Sequence, residues 1–177
     1  SELNGIQFES CRFENCDWSE AQVRGCEFID CEFIGCQLAG VKFGMSRFQD
    51  VVFTDCDLSS INWTLADWSG FVLSAPFKFK NCVLNQSSFY GIEMKSLSLV
   101  CCEARAVDFR EADLVASDFE GSDFSHALFA HCDLSDVNFV GTKGVQLDLN
   151  NNTLKGARFE RMEAVSLLSC LGIELVD

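Results

Sequence analysis

The chain has 177 residues, 48% of them hydrophobic, and sets 27 acidic residues against 13 Lys and Arg for a net charge of −14. That length fits one domain. The acidic balance argues against direct nucleic-acid binding, because phosphate contacts need Lys and Arg. No apolar run reaches the twenty or so residues that a membrane-crossing helix needs, so no membrane partner is expected.

From Leu3 a large apolar residue recurs at every fifth position: Phe8, Phe13, Trp18, Val23, Phe28, Phe33, Leu38, Phe43, Phe48, Phe53, Leu58, Trp63, Trp68 and Leu73. The phase then slips by one residue within Ser74-Ala75-Pro76 and resumes from Phe79 to Phe159, with Gly144 as the exception. The residue two before a centre is nearly always small, as at Cys16, Cys36, Cys56, Ser87, Ala112 and Ser122, and all 17 Phe and three Trp occupy one of these two positions. A period of five fits neither a helix nor a flat strand. It fits a solenoid whose units turn two side chains inward and three outward. Periodicity alone leaves fifteen or twenty residues per turn open.

At the slip, Pro76 is the sole proline and has no N–H for a β ladder. One extra residue plus a proline predicts a bulge or bend at 74–77. After Phe159 the pattern changes. The stretch 163–171 reads as a short amphipathic helix stopped by Gly172, and Ile173-Glu174-Leu175-Val176 alternates like a strand. The expected organisation is a repeat shaft over 1–159 and a helix–strand segment over 160–177.

Nine of the eleven Cys fall on the small inward position, where thiols act as small buried hydrophobes. Reduced thiols, and no signal-peptide pattern before the repeat, point to a cytoplasmic location. The two His, His126 and His131, follow repeat centres by two residues and should face outward at corners. No nucleophile–base pattern or phosphate loop is present, and a filled rod offers no pocket. The expectation is therefore a binding protein rather than an enzyme, with no cofactor, no metal and no small-molecule substrate.

The registered units from Leu3 to Phe159 resemble the pentapeptide-repeat proteins. That resemblance implies an all-β solenoid: a right-handed quadrilateral β-helix of about eight coils, roughly 38 Å long at a coil spacing of about 4.8 Å. Within the family, the Asn62-Trp63-Thr64 and Trp68 units, Phe89-Tyr90-Gly91, and the end from Ala164-Val165-Ser166-Leu167-Leu168 to Ile173-Glu174-Leu175 are similar to members that protect bacterial type II topoisomerases, the albicidin-resistance members above all. The resemblance implies a two-fold homodimer through Val165, Leu167, Leu168, Leu171, Ile173 and Leu175. It also implies DNA gyrase as partner, engaged at its DNA-binding saddle by a DNA-mimicking surface. A one-residue slip leaves no room for a projecting loop of the kind carried by the plasmid quinolone-resistance members, which favours an albicidin- or microcin-like poison over a fluoroquinolone. The alternative is a structural or scaffolding protein with no gyrase role.

With four units per coil and one extra residue at the slip, the acids sort onto two adjacent faces. One, centred on Phe8, Phe28, Phe48, Trp68, Phe89, Phe109, Phe129 and Leu149, is net −6, and the next, centred on Phe13, Phe33, Phe53, Leu73, Met94, Leu114, Leu134 and Leu154, is net −4. A third face, holding Arg24, Lys42, Arg105 and Lys143, is net +1. Regular negative charge along a rod resembles that of DNA. The candidate partner-binding residues are Asp50, Asp67, Glu93, Asp108, Glu111, Asp113, Asp133, Asp136 and Asp148.

Overall fold

One large and one small inward residue per five leave the chain extended for only three residues before it must turn. Most strands have that length, and two are one residue longer. The computed structural model describes residues 2–69 and 75–173, with Ser169 and Cys170 described by their backbone alone. The fold is an all-β solenoid with one short C-terminal helix. Strands β1 (Glu2–Asn4), β4 (Gln22–Arg24) and β7 (Lys42–Gly44) form one parallel sheet, and β2 (Gln7–Glu9), β5 (Glu27–Ile29) and β8 (Arg47–Gln49) a second. A third sheet runs through five successive turns: β3 (Arg12–Glu14), β6 (Glu32–Ile34), β9 (Val51–Thr54), β10 (Phe77–Lys80) and β11 (Ser98–Val100). A fourth stack is held by isolated parallel bridges from Asp17 through Gln37 and Asp57 to Val83, Glu103, Asp123 and Lys143.

Partners lie twenty residues apart, as in Phe8 with Phe28 and Phe13 with Phe33, so one turn contains four five-residue units. The periodicity could not choose between fifteen and twenty, and the ladder does. Each centre stacks on its counterpart one turn away: Phe13 on Phe33 at 4.6 Å, Phe33 on Phe53 at 5.0 Å, Phe89 on Phe109 at 5.3 Å and Phe139 on Phe159 at 4.7 Å. Burying a Phe of this kind contributes about 1.5–3 kcal/mol, and the stacks make one continuous core. The small inward residues tie neighbouring turns together. Cys56 Sγ donates to the Phe33 carbonyl at 3.4 Å, and Ser122 Oγ to the Leu99 carbonyl at 2.7 Å. The ten described cysteines are free thiols, and Cys101 is exposed at a corner.

The corners are left-handed. At most corners the residue two after a centre takes φ near +50 to +70°, whether Ser10, Asp30, Asp50, Glu111, His126 or His131, while Leu65 closes a 3-10 turn instead. That backbone costs about 1–2 kcal/mol in a non-glycine residue. It persists because the corner N–H is locked to the next turn, as Asp30 N–H to the Gln49 carbonyl at 2.9 Å and Asp136 N–H to the Lys155 carbonyl at 2.8 Å.

The slip differs from the sequence expectation. Phe53 pairs with Phe79, Asp57 with Val83 and Asn62 with Ser88, so the register there is 26 residues, six more than a turn. The extra residues fall between Asp67, whose N–H still meets the Ser46 carbonyl at 2.9 Å, and Ala75, whose N–H already meets the Lys95 carbonyl at 2.5 Å. A one-residue phase shift in sequence is thus a whole five-residue unit plus one in structure. Counting apolar positions cannot see this, because five residues leave the phase unchanged. Leu73 lies outside the described residues. Pro76 contributes its carbonyl to the Val51 N–H at 2.8 Å and opens β10, and no cis peptide bond occurs among the described residues.

At the other end, helix α1 (Arg161–Leu167) starts two residues before the expected 163 and passes into a 3-10 turn, Leu168–Leu171, with Gly172 at φ +69°. Leu167 is buried against the core, Val165 and Leu168 are half-buried, and Leu171 and Ile173 are exposed. Leu175 and most of the expected terminal strand lie outside the described residues. No described helix is long and apolar enough to cross a membrane.

Candidate protein-binding surface

The four stacks of units present their outward side chains as four columns. The first is centred on Leu3, Val23, Phe43, Trp63, Phe89, Phe109 and Phe129, as the Asn62–Ser88–Asp108–Leu128 bridges require. The second is centred on Phe8, Phe28, Phe48, Trp68, Met94, Leu114 and Leu134, continued by the Glu93–Asp113–Asp133 bridges. The third follows the five-stranded sheet and the fourth the Asp17 to Lys143 bridges.

This map corrects the sequence assignment beyond Trp68. Because the register gains six residues and not one, Phe89 follows Trp63 and not Trp68, and every later unit sits one column earlier than expected. Asp108 and Glu111 leave the column of Asp50 and Asp67 for the first column. Asp148 goes with them, since the His131 N–H bonds the Asn151 carbonyl at 2.9 Å. Glu93, Asp113, Asp133 and Asp136 move onto the column of Asp50 and Asp67. The second column then carries Glu9, Glu27, Asp30, Asp50, Asp67, Glu93, Asp113, Asp133 and Asp136 against only Arg47, Lys95 and Lys155, a net −6. The first column is close to neutral, because Arg24, Lys42 and Arg110 offset its acids. The expected basic face dissolves: Arg24 and Lys42 stand on the first column, Arg105 and Lys143 on the fourth. The acid is concentrated on one column and runs through both halves.

Several of these acids also serve the backbone. Asp133 Oδ1 accepts from the Ser135 N–H at 3.0 Å and its hydroxyl at 2.6 Å, and Asp67, Asp108, Asp113 and Asp148 likewise accept the N–H two residues on. A short carboxylate just before the centre closes this turn with one oxygen, and in Asp67, Asp108 and Asp113 the other oxygen meets a basic side chain. The Ser69 hydroxyl and N–H, aided by Arg47 at 2.7 Å, hold Asp67 down to about 2. Arg110, reaching both oxygens of Asp108, lowers that carboxyl too. Lys95 approaches Asp113 at 3.2 Å. Asp50, Glu111 and Asp136 stand exposed at left-handed corners. Among the described residues no three potential metal ligands converge.

Sequence reasoning passed over a second feature of the first column. Met45 is 61% exposed, Leu65 46% and Tyr90 42%. Met45 and Leu65 are joined by the Met45 N–H to Leu65 carbonyl bond at 2.7 Å. Tyr90 is held from the following turns, its hydroxyl 2.7 Å from Glu111 Oε1 and its ring 5.6 Å from the Arg110 guanidinium. Met45, at a corner, is the kind of outward large residue that the five-residue pattern leaves unexplained.

A family model described as "Pentapeptide repeat region" matches residues 6–75, and one described as "Pentapeptide repeats (8 copies)" matches 108–143 and 122–161. Together they span most of the chain, and the protein belongs to the pentapeptide-repeat family. No curated protein sequence matches the chain significantly. Among solved structures it is similar to two trypsin-treated variants of QnrB1, described as a plasmid-mediated fluoroquinolone resistance protein. One is 18% identical with a TM-score of 0.60, over 99% of this chain and 100% of that one. The other is 22% identical with a TM-score of 0.54, over 99% of each. At such identities the likeness speaks for the fold.

Proposed function

We propose that the protein is a non-enzymatic, cytoplasmic, DNA-mimicking homodimer that binds DNA gyrase at its DNA-binding saddle and confers resistance or self-immunity to a gyrase poison. In this reading the solenoid is a right-handed quadrilateral β-helix of about eight coils, 1–159, and the segment 160–177 joins two chains, with Leu171 and Ile173 the exposed apolar residues offered to the partner copy. The observation that carries the reading is the acidic second column, which continues across the six-residue register jump from Asp50 and Asp67 to Glu93, Asp113, Asp133 and Asp136. Turns about 4.8 Å apart present charge at regular intervals, and a basic groove built for phosphates is the matching surface. The fold likeness to a fluoroquinolone-resistance protein is consistent with it.

The choice of poison is reopened. The case for an albicidin- or microcin-like compound over a fluoroquinolone relied on a one-residue slip, and a register of 26 residues removes that ground. The test is gyrase supercoiling in the presence of albicidin or ciprofloxacin, with and without the protein. Rescue with either drug, or direct inhibition of supercoiling, is the expected result; neither effect and no binding would end the gyrase reading. A triple Asp113→Asn, Asp133→Asn, Asp136→Asn variant keeps the shape and loses the charge, and it should bind at least tenfold more weakly and with a shallower salt dependence.

The alternative, a structural or scaffolding protein with no gyrase role, is favoured by one observation. The backbone bonds of Asp67, Asp108, Asp113, Asp133 and Asp148 give those acids a reason to exist without a partner. Unchanged gyrase binding in the triple variant would select it.

A further inference from the structure

We propose that Met45, Leu65 and Tyr90 form an apolar docking ridge beside the acidic column, and that its occupant is a protein surface with an apolar recess set among basic residues. The inference rests on the reading above only for the choice of gyrase as the first partner to try.

Three observations carry it. First, the positions are contiguous. Met45 and Leu65 are hydrogen-bonded neighbours on adjacent turns, and the Asn62–Ser88 bridge places Tyr90 on the turn after Leu65. All three are large, apolar and more than two-fifths exposed, in a repeat whose outward positions are mostly polar. Second, Tyr90 is fixed before any partner arrives. Glu111 accepts its hydroxyl, Arg110 lies over its ring, and Arg110 is itself gripped by both oxygens of Asp108. A rigid, amphipathic aromatic costs little entropy on binding, which is why Tyr and Arg are enriched at interface hot spots. Third, the rim on the side of the second column is mainly acidic, its Arg47 already paired with Asp67. The neighbouring second column supplies Asp50, Asp67 and Glu93 alongside the ridge. Basic residues are the complement of that rim, and apolar side chains the complement of its centre. Duplex DNA offers only thymine methyls as apolar relief, so a ridge of large apolar side chains goes beyond charge mimicry. Electrostatics set encounter and orientation, and the ridge sets residence time.

The test has two arms. In the first, the full-length protein is titrated with two synthetic peptides of equal charge, one Lys/Leu amphipathic and one Lys/Ser. The wild type should bind the Lys/Leu peptide about tenfold more tightly, and a Leu65→Ser, Tyr90→Ala variant should lose that preference while binding the Lys/Ser peptide as before. Equal binding of the two peptides, or a preference that survives in the variant, overturns the proposal whether or not gyrase is the partner. In the second arm, purified gyrase is titrated from about 50 to about 400 mM salt, over which the Debye length shrinks from about 14 Å to about 5 Å. The variant should lose about tenfold in affinity equally at every salt concentration, whereas the acidic triple variant loses affinity mainly at low salt. Wild-type gyrase binding by the ridge variant overturns the ridge. A peptide preference with no gyrase binding by the wild type leaves the ridge standing and removes gyrase. Sedimentation velocity on both proteins supplies the last check: a change of oligomeric state in the variant makes the ridge a contact between copies and defeats the proposal. Both exposed substitutions avoid the core, and matching circular dichroism and unfolding curves establish that the variant is folded.

Discussion

The two halves of the shaft are built from one repeat and differ in how they hold their edges. Up to Thr54 the first three columns run as three- and four-residue strands, with Gln7, Arg12, Gln22, Glu27, Glu32, Lys42 and Arg47 just before the centre. Beyond Val100 the same position holds Asp108, Asp113, Asp118, Asp123, Asp133 and Asn138, and the described residues show isolated bridges instead of strands. The cause is side-chain length. Asp or Asn reaches back to the N–H two residues on and tightens the unit into a turn, whereas Glu, Gln, Lys and Arg are too long and leave it extended. Gln37 is a bridge without that bond because Asp17 and Asp57 flank it on both sides. The comparison teaches that aspartates just before a centre carry a backbone duty, common in the second half and shared in the first by Asp17, Asp57 and Asp67, so charge and stability are coupled at those positions and separable at the longer acids.

The largest expected effect tests the cores of the two halves. Phe33→Ala removes a ring stacked on Phe13 and Phe53 and should cost about 3–5 kcal/mol, against the lower end of about 2–5 kcal/mol for Leu114→Ala; urea unfolding of both variants measures it, and the reverse order would mean that ring stacking adds nothing beyond burial. Gly144→Ala comes next. At φ +67° its Cβ would lie 2.7 Å from the Ser125 Cα, so backbone must move, at about 1–3 kcal/mol. Asp133→Ala should lower stability by about 1 kcal/mol while Asp133→Asn stays within about 0.5 kcal/mol, and Glu27→Gln in the first half should be silent. If Asp133→Ala were also silent, the backbone duty would be no more than geometry. The smallest effect is in acid. Ser69 with Arg47 for Asp67, and Ser125 with Arg105 for Asp123, hold these carboxyls down to about 2. A depressed folded-state value gives stability that is complete above the ordinary carboxylate range and lost as pH falls through the folded value. Their contribution should therefore fade between about pH 4 and pH 2, and Asp123→Asn should flatten that limb in thermal melts followed by circular dichroism.

Much of the fold was legible because the repeat writes the core directly: Phe28, Phe33, Phe109 and Phe124 are all fully buried where the period puts them. The outer surface was less so. Sequence phase is blind to multiples of five, so the 26-residue register was read as one extra residue, and Asp108, Glu111 and Asp148 were grouped with Asp50 and Asp67 when Glu93, Asp113, Asp133 and Asp136 belong there. The exposed Met45 and Leu65 could have been noticed as large apolar residues at outward positions. Their adjacency to Tyr90 could not, since it depends on the same register.

Every unit offers the interior the same pair of side chains, so the core is indifferent to which unit lands on which column. The six-residue jump between Asp67 and Ala75 is therefore a dial, setting the exterior of one half against the exterior of the other. Were the spare unit counted into the turn, Glu93, Asp113 and Asp133 would rotate away from Asp50 and Asp67 to stand over Glu14, Glu32 and Asp55, while each unit would still turn the same two positions inward. New combinations of surface become reachable by length alone, with ring pairs such as Phe53 with Phe79 and Trp63 with Phe89 exchanged for other large apolar neighbours.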